Sequence, residues 1–209
     1  MATITRLTDS CIYVATDSAA TLFDPGFHSF LSGQIDLDSI GEVTTVAITH
    51  EHGDHVHPDF VRWLVDRGDD VAVHSNQAVA DLLAPHDIEV SVDAPTGFSV
   101  EDVVHGKIPN GSQPPNRAFT IDGVFTHPGD SRDPSNSAPV LALPIIVPWD
   151  TAIGAVEFAR RLGPSQVVPI HDFYMSESGR SWSRDLVRGI LADDGIEVLD
   201  LDWGDNATV

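Results

Sequence analysis

Four times in this 209-residue chain a run of β-branched and apolar residues ends and a histidine or aspartate follows. Val43–Ile48 runs into Thr49-His50-Glu51-His52-Gly53-Asp54-His55, and Phe98–Val104 into His105. Val124–Thr126 leads to His127-Pro128-Gly129-Asp130-Ser131, and Val167–Ile170 to His171. Strand ends on one edge of a sheet converge in space, and that edge is where loop-borne sites form. The chain must therefore fold so that these ends meet, and everything between them reads as scaffold.

The intervening segments fit that demand. Short strands are expected at Ile4–Leu7, Cys11–Val14 and Thr21–Phe23, the last running into the turn Asp24-Pro25-Gly26. Residues 27–41, with His28 and Phe30, read as an irregular flap. Pro58 suits a first helical position, and Phe60 to Val65 give a helix with one packed face that ends at Arg67-Gly68-Asp69-Asp70. A strand at Val71–Val73, a helix at Asn76–Leu83 and a strand at Ile88–Val92 continue a β-α-β-α rhythm. Beyond His105 lies a loop, Ile108–Pro115, and then Asp122-Gly123, a hairpin signal between Ala118–Ile121 and Val124–Thr126. Val140–Leu143 reads as a buried strand, Asp150 as the cap of a helix over 151–162, and Trp182–Leu191 and Glu197–Leu201 as a last helix and strand. No linker divides the chain, so residues 1–209 are expected to form a single domain.

Composition narrows the partners. The formal net charge is −21, Lys107 is the only lysine, and Asp outnumbers Glu more than three to one. Such a surface repels polyanions, which argues against nucleic acid and anionic membrane. Met1 to Arg6 carries no apolar leader, and no apolar run reaches the ~18 residues of a membrane span. Cys11 is the sole cysteine, so neither a disulfide framework nor a thiolate metal site is expected. A cytoplasmic protein acting on a small molecule follows as the expectation, with self-association left open.

The chemistry lies in the histidine stretch. His50 and His52 leave the same face of an extended segment, whereas Asp54 and His55 come where the chain turns and point to a second place. One tetrahedral ion takes three or four protein ligands. Five histidines and two aspartates at strand ends exceed that number. Two ions about 3.5–4 Å apart, sharing a carboxylate and a hydroxide, would use them all. A closed structural zinc site would favour cysteines and four ligands. A lone His or Asp at a loop end is ordinarily solvated or capping, but four such side chains in one stretch would repel or stay unpaired without a metal.

Leu22-Phe23-Asp24-Pro25-Gly26, His50-x-His52-x-Asp54-His55, His105, Gly129-Asp130 and His171 together resemble the five ordered motifs of the metallo-β-lactamase fold superfamily. Asn116-Arg117-Ala118-Phe119, His127 to Ser131 and Pro169-Ile170-His171-Asp172 are similar to the branch that includes ascorbate-6-phosphate lactonase. The resemblance spans nearly the whole chain and implies an α/β fold, a four-layer αββα sandwich. It implies that His50, His52 and His105 bind one divalent ion and Asp54, His55 and His171 a second, with Asp130 bridging and Asp24 supporting from behind. Zinc is the expected metal, with manganese or iron as alternatives. His105 lacks the family's usual flanking residues, and His127, three residues before Asp130, competes for its place. His28 and His57 could reach the pocket rim.

The implied activity is hydrolysis of an ester, lactone or phosphodiester by a metal-bridging hydroxide, with Asp54 orienting the nucleophile. Arg117, Arg132 and Lys107 are the cations near the site loops, available to a small anionic substrate or to surface ion pairs. Trp149 and Asn116 are placed to line the pocket. A member of the same fold that binds metal or ligand without turnover is the alternative, and the residues do not choose the substrate.

Overall fold

The computed structural model describes residues 1–68, 70–108, 111 and 113–209; Asp69 of the expected helix stop, and Pro109, Asn110 and Ser112 of the Ile108–Pro115 loop, lie outside the described residues. In chain order the strands are β1 (Thr3–Arg6), β2 (Ile12–Ala15), β3 (Ala20–Phe23), β4 (Thr45–Ala47), β5 (Ala72–His74), β6 (Phe98–Val104), β7 (Pro115–Ile121), β8 (Phe125–His127), β9 (Val140–Pro144), β10 (Gln166–Ile170), β11 (Glu197–Val198) and β12 (Asn206–Thr208). The helices are α1 (Phe27–Leu31), α2 (Pro58–Arg67), α3 (Gln77–Leu83), α4 (Ala152–Leu162) and α5 (Glu177–Ala192).

Two six-stranded sheets result, ordered β12-β1-β2-β3-β4-β5 and β11-β10-β9-β8-β7-β6. Ile4, Ile12, Val14, Phe23 and Ala47 of the first pack against Phe119, Ile121, Phe125, Val140, Ala142 and Val168 of the second. The outer face of the first sheet buries Leu22 and Val46 against Phe60, Val61 and Leu64 of α2 and Val79 and Leu83 of α3. The outer face of the second buries Leu141, Leu143 and Val167 against Val156, Phe158 and Ala159 of α4 and Val187 and Leu191 of α5. The order of layers is therefore αββα.

Strand direction is what positions the site. β3, β4 and β5 run parallel, as do β8, β9, β10 and β11, and β6 shares the direction of β8 because each is antiparallel to β7. The C-terminal ends of β3, β4, β6, β8 and β10 thus carry Asp24, His50, His105, Asp130 and His171 respectively. The turn after β3 is stitched to the histidine loop, with Phe27 N–H donating to the Gly53 carbonyl and His57 N–H to that of Pro25, both at 2.9 Å. Gly26 permits this approach: a Cβ there would lie 1.8 Å from the Asp54 carbonyl oxygen.

Several local expectations change. Residues 27–41 are partly ordered into α1 and a 3-10 turn at Leu37–Ser39, capped by the Asp36 side chain. Ile88–Val92 is not a strand; Ser91 alone bridges to His74, while the Val92 carbonyl accepts a hydrogen bond from Arg117. Thr151 rather than Asp150 caps α4, its hydroxyl accepting from Gly154 N–H, because the Asp150 carboxylate is taken by Arg132. The strand expected at Glu197–Leu201 stops at Val198, and α5 begins five residues earlier than expected, at Glu177 behind the Ser176 cap. The turn at Asp122-Gly123 forms, with both residues at positive φ (49° and 64°) and Val124 N–H donating to the Ile121 carbonyl at 2.9 Å, but Ile121 pairs with Phe125, so Val124 lies in the turn rather than in the strand.

Candidate metal centre

Asp24 is the keystone beneath the histidine loop. It is fully buried, and its carboxylate accepts from Thr49 N–H (2.7 Å), Thr49 Oγ1 (2.8 Å) and His55 Nδ1 (2.7 Å). With its Nδ1 proton committed, His55 turns Nε2 outward. Thr49 Oγ1 also lies 3.0 Å from His50 Nδ1, so the same hydroxyl orients a second ring. His105 Nδ1 meets the Gly106 carbonyl, and His171 Nδ1 meets the Ile146 carbonyl at 2.9 Å. In each case one ring nitrogen is anchored and the other is presented to a common space.

Two groups form there. One ligand atom from each of His50, His52, His105 and Asp130 lies within 4.8 Å of the rest, and so do those of Asp54, His55 and His171. Asp130 spans them. Its Oδ1 is 3.3 Å from both His55 Nε2 and His171 Nε2, while its Oδ2 is 3.6 Å from His105 Nε2. Asp54 Oδ2 lies 3.5 Å from His171 Nε2. Despite these approaches, His55 Nε2, His105 Nε2, His171 Nε2 and Asp130 Oδ1 are buried without a hydrogen-bond partner among the described residues. Each such atom costs about 1–3 kcal/mol if left unpaired. Nitrogen and carboxylate donors gathered in each of two such groups suit divalent cations of the zinc, manganese or iron kind.

The local electrostatics run the same way. Burial pushes the His55 imidazolium down, yet Asp24, Asp130 and Asp54 together lift it well above the ordinary histidine value. Burial also opposes charge on His171, and Asp130 and Asp54 again prevail, raising it. Burial favours neutral carboxyls at Asp130 and Asp54, but His171 and His55 hold both below the usual carboxylate range. Burial, with His55 beside it, keeps His50 well below the normal value. Backbone geometry is committed as well: His171 and Asp24 sit at φ 64° and 46°, a left-handed conformation costing roughly 1–2 kcal/mol for a residue with a Cβ.

All seven residues expected as ligands, His50, His52, Asp54, His55, His105, Asp130 and His171, are thus brought together. His127 is not among them. It ends β8 stacked on Phe23, with Nε2 against the Ser10 carbonyl (2.8 Å) and Nδ1 accepting from Gly129 N–H (3.2 Å), so both nitrogens are spent. His28 is buried in a pair with Asp9 (Nδ1 to Oδ2, 2.7 Å) rather than at the rim, and His57 packs tilted against Phe30, ring centroids 5.3 Å apart. Asn116 is buried and braces the Asp130 turn, accepting from Asp130 N–H at 3.1 Å. Arg117 is tied to Asp102 and to the Ser75 and Val92 carbonyls. Lys107, Arg132 and Trp149 line a groove of about 290 Å³ beside His105. Sequence reasoning missed Thr49, although its place before His50 was a signal, and Asp9, whose carbonyl accepts from His171 N–H (3.3 Å) across the chain.

The fold has close relatives in shape. Igni18, described as a novel metallo hydrolase of the archaeon Ignicoccus hospitalis, matches with a TM-score of 0.72 over 100% of this chain and 98% of its own, at 18% identity. YhfI of Bacillus subtilis, described as a metallo-β-lactamase fold protein, matches with a TM-score of 0.67 over 99% and 98%, at 13% identity. This chain has the metallo-β-lactamase fold. In sequence it is similar to Protein Rv0786c of Mycobacterium tuberculosis, 26% identical over 194 residues that cover 85% of this chain and 87% of that protein. No family model matches the chain. Within the metallo-β-lactamase fold, the strand-end edge that carries the seven residues is the edge that the topology leaves open to loops.

Proposed function

We propose that this protein is a binuclear metal-dependent hydrolase that opens an ester, lactone or phosphodiester bond in a small substrate. The observation that carries the reading is the gathering at one sheet edge, past the ends of β4, β6, β8 and β10, of four buried ligand atoms with no hydrogen-bond partner among the described residues. His50, His52 and His105 would hold one ion, and Asp54, His55 and His171 the other, with Asp130 available to both. Bound there, two divalent cations supply Lewis acidity toward a carbonyl or phosphoryl oxygen and lower the pKa of a coordinated water from 15.7 toward about 7.

The remaining work falls to side chains. Asp54 is the most accessible of the acidic ligands, its side chain 22% exposed against 6% for Asp130. Its free carboxylate oxygen is the group available to orient an attacking water and hold its proton. Asp24, through His55, keeps that ring's Nε2 lone pair aimed at the centre. Lys107 and Arg132 in the adjacent groove are the cations positioned to receive a negatively charged substituent. Trp149 lines the same groove, with the Arg132 guanidinium over its ring at 5.2 Å.

The test is a panel of phosphodiester and lactone probes on protein loaded separately with zinc and with manganese, alongside Asp54→Ala. Hydrolysis by the loaded protein, lost in a folded Asp54→Ala variant, supports the reading. Undiminished hydrolysis in that variant sinks the mechanism. Tight metal binding with no turnover of any probe would favour the non-catalytic alternative.

A further inference from the structure

Asp130 serves two sides of the cluster only if its carboxylate is held in one rotation. Its backbone is fixed, with N–H donating to Asn116 Oδ1 (3.1 Å) and C=O accepting from Gly106 N–H (2.7 Å). These bonds leave the side-chain torsion free. His55 and His171 approach Oδ1 at 3.3 Å, on the side of the second group, and His105 Nε2 lies 3.6 Å from Oδ2. The Trp149 indole N–H donates to Asp130 Oδ2 at 3.4 Å.

The position of Trp149 is built with care. The indole lies flat on Gly106: a Cβ at that residue would sit 2.0 Å from Trp149 Cδ2, so only glycine admits the ring. On its other side the Arg132 guanidinium packs at 5.2 Å, itself fixed by Asp150 and by the Pro144 carbonyl (2.9 Å). An isolated bridge between Val147 and Asp150 closes the turn that carries the ring. A tryptophan so clamped, with its one N–H directed at a cluster carboxylate, is positioned for more than packing.

We propose that Trp149 is a positioning residue that fixes the rotation of the Asp130 carboxylate and so sets the metal affinity of the His50/His52/His105 side selectively. A carboxylate oxygen has two lone-pair sites. Trp149 takes one on Oδ2 and leaves the other directed toward His105. The Asp54/His55/His171 side depends on it less, because Asp54 supplies a second carboxylate and Asp24 buttresses His55. The inference rests on the metal-site reading above.

The experiment is calorimetric and spectroscopic titration of metal-free full-length protein with cobalt(II) and zinc, for wild type, Trp149→Phe and Asp54→Asn. Phenylalanine keeps the ring against Gly106 and removes only the N–H. Two binding steps are expected in the wild type. Trp149→Phe should weaken one step about tenfold, as loss of a partner behind a metal ligand does, and leave the other unchanged. Asp54→Asn should weaken that other step instead. Affinity of both steps unchanged in Trp149→Phe, or both reduced equally with a lowered melting temperature, would overturn the proposal. Either of those results would leave the hydrolase reading intact. A wild type that takes up no divalent metal would instead refute that reading itself. Should Trp149→Phe not fold, Gly106→Ala, which displaces the ring, is expected to weaken the same step in the same way.

Discussion

Replacing Asp24 by asparagine removes one charge and no volume from a fully buried position, and the structure says what that should cost. The carboxylate accepts three bonds, from Thr49 N–H, Thr49 Oγ1 and His55 Nδ1. An amide has one acceptor oxygen. If that oxygen stays with Thr49 N–H, the NH₂ faces His55 Nδ1, which must then accept rather than donate. The ring proton moves to Nε2, the atom turned toward the cluster, and blocks it for metal. One buried charge-assisted bond is lost, worth about 1.5–3 kcal/mol. For a chain of this size each kcal/mol lowers the melting temperature by about 2–4 °C, so a drop of roughly 3–12 °C is expected. Metal affinity on the Asp54/His55/His171 side should fall about 10–100-fold. The assays are thermal unfolding of the metal-free protein and zinc titration, with Asp38→Asn, an exposed change of equal charge, as the control expected to move stability by under about 0.5 kcal/mol. If Asp24→Asn matched that control in both readouts, the reasoning about His55 would be wrong.

Three further outcomes follow from the same contacts. Zinc uptake by metal-free protein at pH 7 should release protons, because the flanking carboxylates raise His55 and His171 above the ordinary histidine range; apparent affinity should therefore rise with pH while those rings still hold protons, and calorimetry in buffers of different ionisation enthalpy would reveal it. Burial pushes the Cys11 thiol up, and the residue is 1% exposed, so alkylation at pH 8 should be negligible in the folded protein and rapid in urea, as mass spectrometry would report. Arg6→Ala should cost about 3–5 kcal/mol in urea unfolding, since it strands Asp172, whose buried carboxylate pairs with Arg6 at 2.6 Å.

The layered fold and the gathering of the seven His and Asp side chains at one sheet edge were legible because their signals are local. A β-branched run followed at once by a metal-capable side chain needs only a dozen residues to be seen, and the His50–His55 stretch needs six. The choice between His105 and His127 was not legible, because both follow strands; what separates them is that His127 is the last strand residue, stacked on Phe23, while His105 lies one residue past β6. Trp149, Thr49 and Asp9 act through partners distant in sequence or through a single hydroxyl, and no periodicity carries such contacts. Ile88–Val92 misled by composition: its β-branched residues pack beside α3, but Ser91 alone finds a strand partner. Strand β12, Asn206–Thr208, has little strand propensity and is held by pairing with β1. Among the described residues no helix is long and apolar enough to cross a membrane.

The account rests on two cooperating ions, and one measurement addresses that directly: hydrolysis of the best probe from the phosphodiester and lactone panel, followed as zinc is added stepwise to metal-free protein. The account predicts that activity climbs to a plateau at two equivalents per chain. A plateau at one equivalent, or no hydrolysis at any loading, would contradict it.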